Sequence, residues 1–268
     1  MGKISAEAKS RYFEKVKEYK QTIDQFALRE KNLLLTLKSD ESGGAYKKLT
    51  LADERLNLAS WFLVLNRMSV ALLGVRNDAY LNDARKSCYQ SIIFLEDVVT
   101  NLIDVPFSDY EMQLQSIEGF EDQKRFQLMR KLGFTIQTVE SDFGENSKWR
   151  WSFVELEGRF AAISKNLINL KTIIAGLDPR VDGYKERVGH LNLAKDLLQK
   201  AADRYREKYE LSTLRMDDFK LAIAYLSALR RLHMLLGEAN QAEVVKRKID
   251  VWRTKMEADD KKAEAKQP

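Results

Sequence analysis

The sequence predicts an all-α fold, an elongated antiparallel bundle of six to eight long helices. Three observations predict it. Breakers are scarce: 268 residues hold only 12 glycines and 3 prolines, one of them the last residue. That is too few for the turns of a β-sandwich or barrel. Apolar residues recur at three- and four-residue spacing along most of the chain, the period of a helix buried on one side. The composition, 44% hydrophobic against 32% charged, suits a chain that buries a core rather than one that stays unfolded.

The elements follow in order. Ser5 caps a first helix that runs to Leu37 or Lys38, with Tyr12, Phe13, Val16, Tyr19, Ile23 and Phe26 at helical spacing. At 1.5 Å per residue it is about 50 Å long. Ser42-Gly43-Gly44 breaks it. Thr50 caps a second helix, 51–73, which ends at Gly74, the favoured residue after a helix. Asn77 or Asp78 opens a third, which continues to about Ile103 and stops at Pro106. Ser108 and Glu111 are spaced as a capping box for the next piece. Residues 116–145 read as one or two helices with a bend, since Gly119, Gly133 and Gly144 interrupt the pattern. Phe134 to Val139 alternates apolar and polar residues, but a lone strand has no partner, so it is assigned to helix or linker. Ser147 caps a long helix ending near Ala175-Gly176. Further helices run from Gly183 to Leu211, from Thr213 to Gly237, and from Ala239 to Met256.

The expected organisation is an N-terminal helical part, 1–145, a C-terminal helical part, 146–256, and a charged tail, 257–268, that frays. The two parts are equally compatible with one continuous domain. Leu56 to Gly74 and Phe219 to Gly237 align without gaps and match at seven of nineteen positions. The match suggests two related hairpins, although a shared Leu-Leu-Gly helix ending accounts for much of it.

Composition also excludes. The single cysteine, Cys88, cannot form an intrachain disulfide. No run of 18 apolar residues occurs, so no membrane span is expected. No apolar leader follows Met1, so the expected location is the cytoplasm, or the periplasm or exterior if a signal peptide has been removed. Only two histidines occur, His190 and His233, and neither has Glu three residues before it. The paired Glu-x-x-His motifs of a di-iron bundle are therefore absent. His190 pairs with Glu186 as an i, i+4 surface contact, His233 lies at a helix boundary, and Cys88 reads as a core residue. No phosphate-binding glycine loop and no nucleophile elbow is present. No catalytic residue, cofactor or metal is assigned, and the chain is read as a non-enzyme.

Charge is distributed unevenly. The net charge is +5, yet residues 77–122 hold ten acids against Arg85 and Lys86 alone. Basic ends and an acidic centre favour docking of one part on another, within a chain or between copies. The most unusual local string is Lys148-Trp149-Arg150-Trp151. Trp and Arg dominate interface hot spots, and a flanking cation can stack on an exposed Trp. The last helix is basic through Lys246, Arg247, Lys248, Arg253 and Lys255. The expected partner-binding residues are Trp149, Arg150, Trp151, Arg247 and Arg253. The expected function is a structural or scaffolding role that presents helical faces to protein partners, copies of itself among them. The runner-up is an adaptor for acidic partners such as RNA, through a basic C-terminal face. The third reading is an enzyme or ligand carrier with a cavity between helices.

Overall fold

The structure, a computed structural model, describes residues 4–40, 42–144 and 147–264. It is all-α, and no strand occurs among the described residues. The helices are α1 (Ala6–Ser39), α2 (Gly44–Leu73), α3 (Asp78–Glu96), α4 (Glu111–Gln115), α5 (Asp122–Phe143), α6 (Arg150–Asn166), α7 (Leu170–Ala175), α8 (Tyr184–Lys208), α9 (Met216–Leu235) and α10 (Ala239–Glu264). All but α4 and α7 are long, so the long helices fall in the expected number. A 3-10 turn, Phe107–Asp109, precedes α4, and a π turn, Tyr209–Thr213, continues α8.

Local chemistry explains the boundaries. Ser5 accepts a hydrogen bond from the Ala8 amide at 3.1 Å and caps α1 as expected. Helix α2 starts seven residues before its expected start. Gly43 takes the left-handed conformation, φ 62°, which glycine adopts without a steric penalty, and turns the chain directly from α1 into α2. Thr50 is inside that helix, its hydroxyl bonded back to Tyr46 O. Asn77 caps α3 by accepting from the Ala79 and Tyr80 amides. The helix stops at Glu96, short of Ile103, and the carbonyls of Thr100 and Leu102 are held by the Asn166 side-chain amide at 2.9 and 3.0 Å.

Other boundaries also differ from the sequence pattern. Ser108 bonds the Asp109 carboxylate rather than closing a capping box, and Tyr110 occupies the cap position of α4. Helix α5 is continuous through Gly133 and contains the Phe134 to Val139 alternation. The expected helix from Ser147 to Ala175 is two helices, separated at Leu167–Asn169. Arg125, only 3% exposed, donates there to Leu167 O and also to Phe120 O and Ile117 O. Thr213 does not cap α9. It donates to the buried carboxylate of Asp218, which Lys208 also holds. Helix α10 runs past Met256 to Glu264, where a frayed tail was expected. Tyr209 donates to Asp259 at 3.1 Å and Lys255 pairs with the same carboxylate. The rest of the expected tail, 265–268, lies outside the described residues.

The chain forms two compact units drawn from interleaved segments. Unit 1 comprises Met1–Val98 and Arg130–Arg150, and unit 2 comprises Val99–Met129 and Trp151–Pro268. In unit 1, α2 is central. Leu51, Ala52, Leu56, Ala59 and Leu65 are at most 1% exposed, and Ser91 of α3 bonds Ala52 O at 2.9 Å. Lys131 spans Asp53 and Asn57 of α2 at 2.6 and 2.8 Å. By length and apolar composition, α2 would reach across a bilayer. Asp53, Glu54 and Arg55 lie in its first half, ahead of the most apolar stretch, and the latter two pair with Arg29 and Glu30 of α1. In unit 2, one core joins α6, α8, α9 and α10. Phe219 is its centre, ringed by Tyr209 at 4.8 Å and Trp252 at 6.2 Å.

The two similar segments end alike. Gly74 and Gly237 both take positive φ, 64° and 72°. Gly237 closes a full Schellman motif, its amide on Met234 O and that of Glu238 on His233 O. Gly74 makes the simpler bond to Val70 O. In the first turn Asn66 and Ser69, both buried, bond the Asn77 amide and Val75 O. The aligned residues of the second segment are Leu229 and Leu232, and their turn is held by Lys195 and His233 on Glu238.

Candidate interaction surface

The Lys-Trp-Arg-Trp string is divided by the fold. Trp149 and Arg150 belong to unit 1, Trp151 to unit 2. Trp149 is half-buried beneath the Arg85 guanidinium, 4.0 Å from the ring centroid, with Lys148 at 5.4 Å. The nearer cation is Arg85 of α3, which the sequence pattern did not single out, rather than the flanking Lys148. Trp151 packs half-buried against the unit 2 core. Arg150 is exposed.

On α10 the outward face carries Val244, Arg247 and Val251 at i, i+3, i+7, with both valines more than 60% exposed. Arg253 is also exposed. Most of the neighbouring cations are engaged within unit 2. Lys248 pairs with Asp203, Lys255 with Glu210 and Asp259, Lys246 and Arg247 with Glu243, and Arg231 of α9 with Asp104. The acidic centre is engaged in the same way. Asp97 pairs with Lys48 in unit 1, and Glu111 with Lys171 and Asp122 with Arg187 in unit 2.

The open apolar surface that the sequence pattern did not single out belongs to α1. Of its 34 residues only Tyr12 and Val16 are buried. Phe13, Leu28 and Leu35 are 64%, 59% and 55% exposed. The C-terminal half of α1 and Arg55 of α2 border a groove of about 360 Å³, lined by Ala27, Glu30, Lys31, Leu34, Leu35, Lys38 and Arg55. The signal was in the sequence. Leu28, Leu33, Leu34, Leu35 and Leu37 surround the last turns of this helix, more than one face can bury.

A family model, the TP0443 family, matches residues 8–260. The chain belongs to the TP0443 family. No curated protein and no solved structure matches it. The stretch shared with the TP0443 family takes in nearly all of α1 and α10, and so draws on both units.

The chemistry-bearing side chains of this TP0443-family chain are held inside the fold. Cys88 is fully buried, and burial pushes its thiol up to about 12. A thiol held so high is not a nucleophile at neutral pH. His190 is buried, not paired on the surface with Glu186. Its Nε2 is 2.9 Å from Ser164 O, and the ring stacks on Phe126. Burial lowers its pKa to about 4, so the ring is neutral and Nε2 carries the donated proton. His233 donates from Nδ1 to Glu238, and Lys195 donates to both oxygens of the same carboxylate, at 2.6 and 2.8 Å. Burial opposes ionisation of Glu238, but these donors outweigh it and hold its carboxyl below the usual range. No group of three or more His, Cys, Asp or Glu placed to hold a metal occurs among the described residues.

Proposed function

We propose that the chain is a non-catalytic protein-interaction module that docks a partner on the open face of α1. The observation that carries this reading is the exposure of Phe13, Leu28 and Leu35 along a helix that buries two residues of 34. A helix held by so little burial, yet carrying so many large apolar side chains, fits a second surface. Helix-in-groove and helix-on-helix recognition use anchors at this spacing. The confinement of Cys88 and His190 in the cores supports a role without covalent or acid–base chemistry.

The alternative, an adaptor for RNA through the C-terminal face, is supported by the exposure of Arg247 and Arg253. Its weight is reduced by the ion pairs that engage Lys246, Arg247, Lys248 and Lys255. The test is capture from native lysate on the full chain, with and without nuclease, beside a Leu28→Glu/Leu35→Glu variant. A protein set that survives nuclease and is lost with the variant is the expected result. A set that vanishes with nuclease, or that the variant retains, overturns the reading.

A further inference from the structure

Resting on the reading of α1 as the docking element, we propose that its groove takes an acidic amphipathic helix of a partner protein, rather than the α1 of a second copy. Leu28, Lys31, Leu35 and Lys38 stand at i, i+3, i+7 and i+10, so apolar and cationic side chains alternate along one stripe. Ala27 and Leu34 extend the apolar floor into the groove. Of the neighbouring acids, Glu30 and Glu54 are already committed, whereas Asp24, one turn before Leu28, is exposed. Glu30 holds Arg55 through two bonds, at 2.6 and 2.9 Å, and Glu54 pairs with Arg29.

Lys31 and Lys38, by contrast, have no acidic partner among the described residues and are exposed. The groove therefore presents an apolar floor framed by two exposed cations two turns apart. Its complement is a helix with apolar anchors and carboxylates at the same seven-residue spacing, about 10 Å along the axis. A second α1 does not supply this. In-register parallel pairing of two copies gathers four lysines in one seam, and antiparallel pairing sets Asp24 opposite Lys38 but still leaves Lys31 facing Lys31 of the other copy, and like charges across helices are destabilising.

The experiment uses the full chain and two synthetic helical peptides labelled for fluorescence anisotropy. Both carry leucines at i, i+3 and i+7, one flanked by glutamates and the other by lysines. The glutamate peptide is expected to bind wild type about tenfold more tightly, since two rim ion pairs replace two repulsions. The preference is expected to reverse in Lys31→Glu/Lys38→Glu, whose fold is checked by circular dichroism. Equal binding of the two peptides, or a preference that does not reverse, overturns the proposal. So does sedimentation showing that wild type self-associates through the groove, with the association lost in Leu28→Glu/Leu35→Glu. If peptide preference fails to reverse while lysate capture still depends on Leu28 and Leu35, the docking role of α1 stands and the acidic-helix assignment falls. If capture is independent of those leucines, the docking role itself falls and takes this assignment with it.

Discussion

Arg125 is a buried residue that holds backbone from three places in the chain. Its guanidinium donates to three carbonyls, Ile117, Phe120 and Leu167, and so ties the turn before α5 to the break between α6 and α7. Arg125→Ala removes those donors and leaves the carbonyls without them. The expected cost is about 3–5 kcal/mol, read from urea denaturation. His190 sets an acid limit. Its folded pKa of about 4 lies below the ordinary 6.5, so the unfolded chain binds the extra proton between these values. The stability is complete above about pH 6.5 and is lost as pH falls toward 4. His190→Phe is expected to flatten the dependence of melting temperature on pH in that window. Lys165 acts in the alkaline range. It is 5% exposed, with its ammonium 5.2 Å from the Tyr110 ring centroid, and burial lowers it from 10.5 to about 8. At neutral pH the folded chain carries a buried charge, and stability rises with pH between about 8 and 10.5 as the folded amine loses its proton. Lys165→Met is expected to raise stability at pH 7 by about 1–2 kcal/mol and to remove that rise, both measurable by denaturation at pH 7 and above.

At the scale of elements, close approach matters more than propensity. Helix α6 passes over the stacked Tyr205 and Tyr225 rings at Gly158. A Cβ there would lie 2.6 Å from Tyr225 Oη and 2.7 Å from Tyr205 Cε2. Gly158→Ala improves helix propensity by up to about 1 kcal/mol, yet overpacking in a dense core costs about 1–3 kcal/mol. The net expectation is a lower melting temperature, and a rise would show that the tyrosines shift freely. The hairpin ends show the converse. Gly74 and Gly237 stop their helices in the same left-handed conformation, and both were legible from Leu-Leu-Gly. The polar groups that complete each turn were not, because Asn66 and Lys195 bond groups 11 and 43 residues away, at Asn77 and Glu238, and Ser69 reaches Val75 only once the chain has turned. Missed helix starts have a related cause. Thr50, Ser108 and Thr213 are all good caps by type, but each hydroxyl found another partner.

At the scale of the molecule, the contrast of basic ends and acidic centre is largely satisfied within each unit. Asp97 reaches Lys48 in unit 1, and Asp104 reaches Arg231 in unit 2. Self-association driven by charge is therefore not expected. Sedimentation at low and at high salt should give the same mass, and a mass that falls as salt rises would show charge-driven contacts between copies.

The sequence by itself determined the fold class, the long helices and most of their ends, and the burial of Cys88. These follow from period, from breaker residues and from side-chain chemistry, which act over a few residues. Tertiary structure alone decided the division into interleaved units, the break that Arg125 holds in the expected 147–175 helix, and the continuation of α10 past Met256 through Asp259. It also decided which apolar stripe is left open. Leu28 and Leu35 of α1 have the same pattern as core residues of α2, and only the packing of the whole unit buries one set and leaves the other in water.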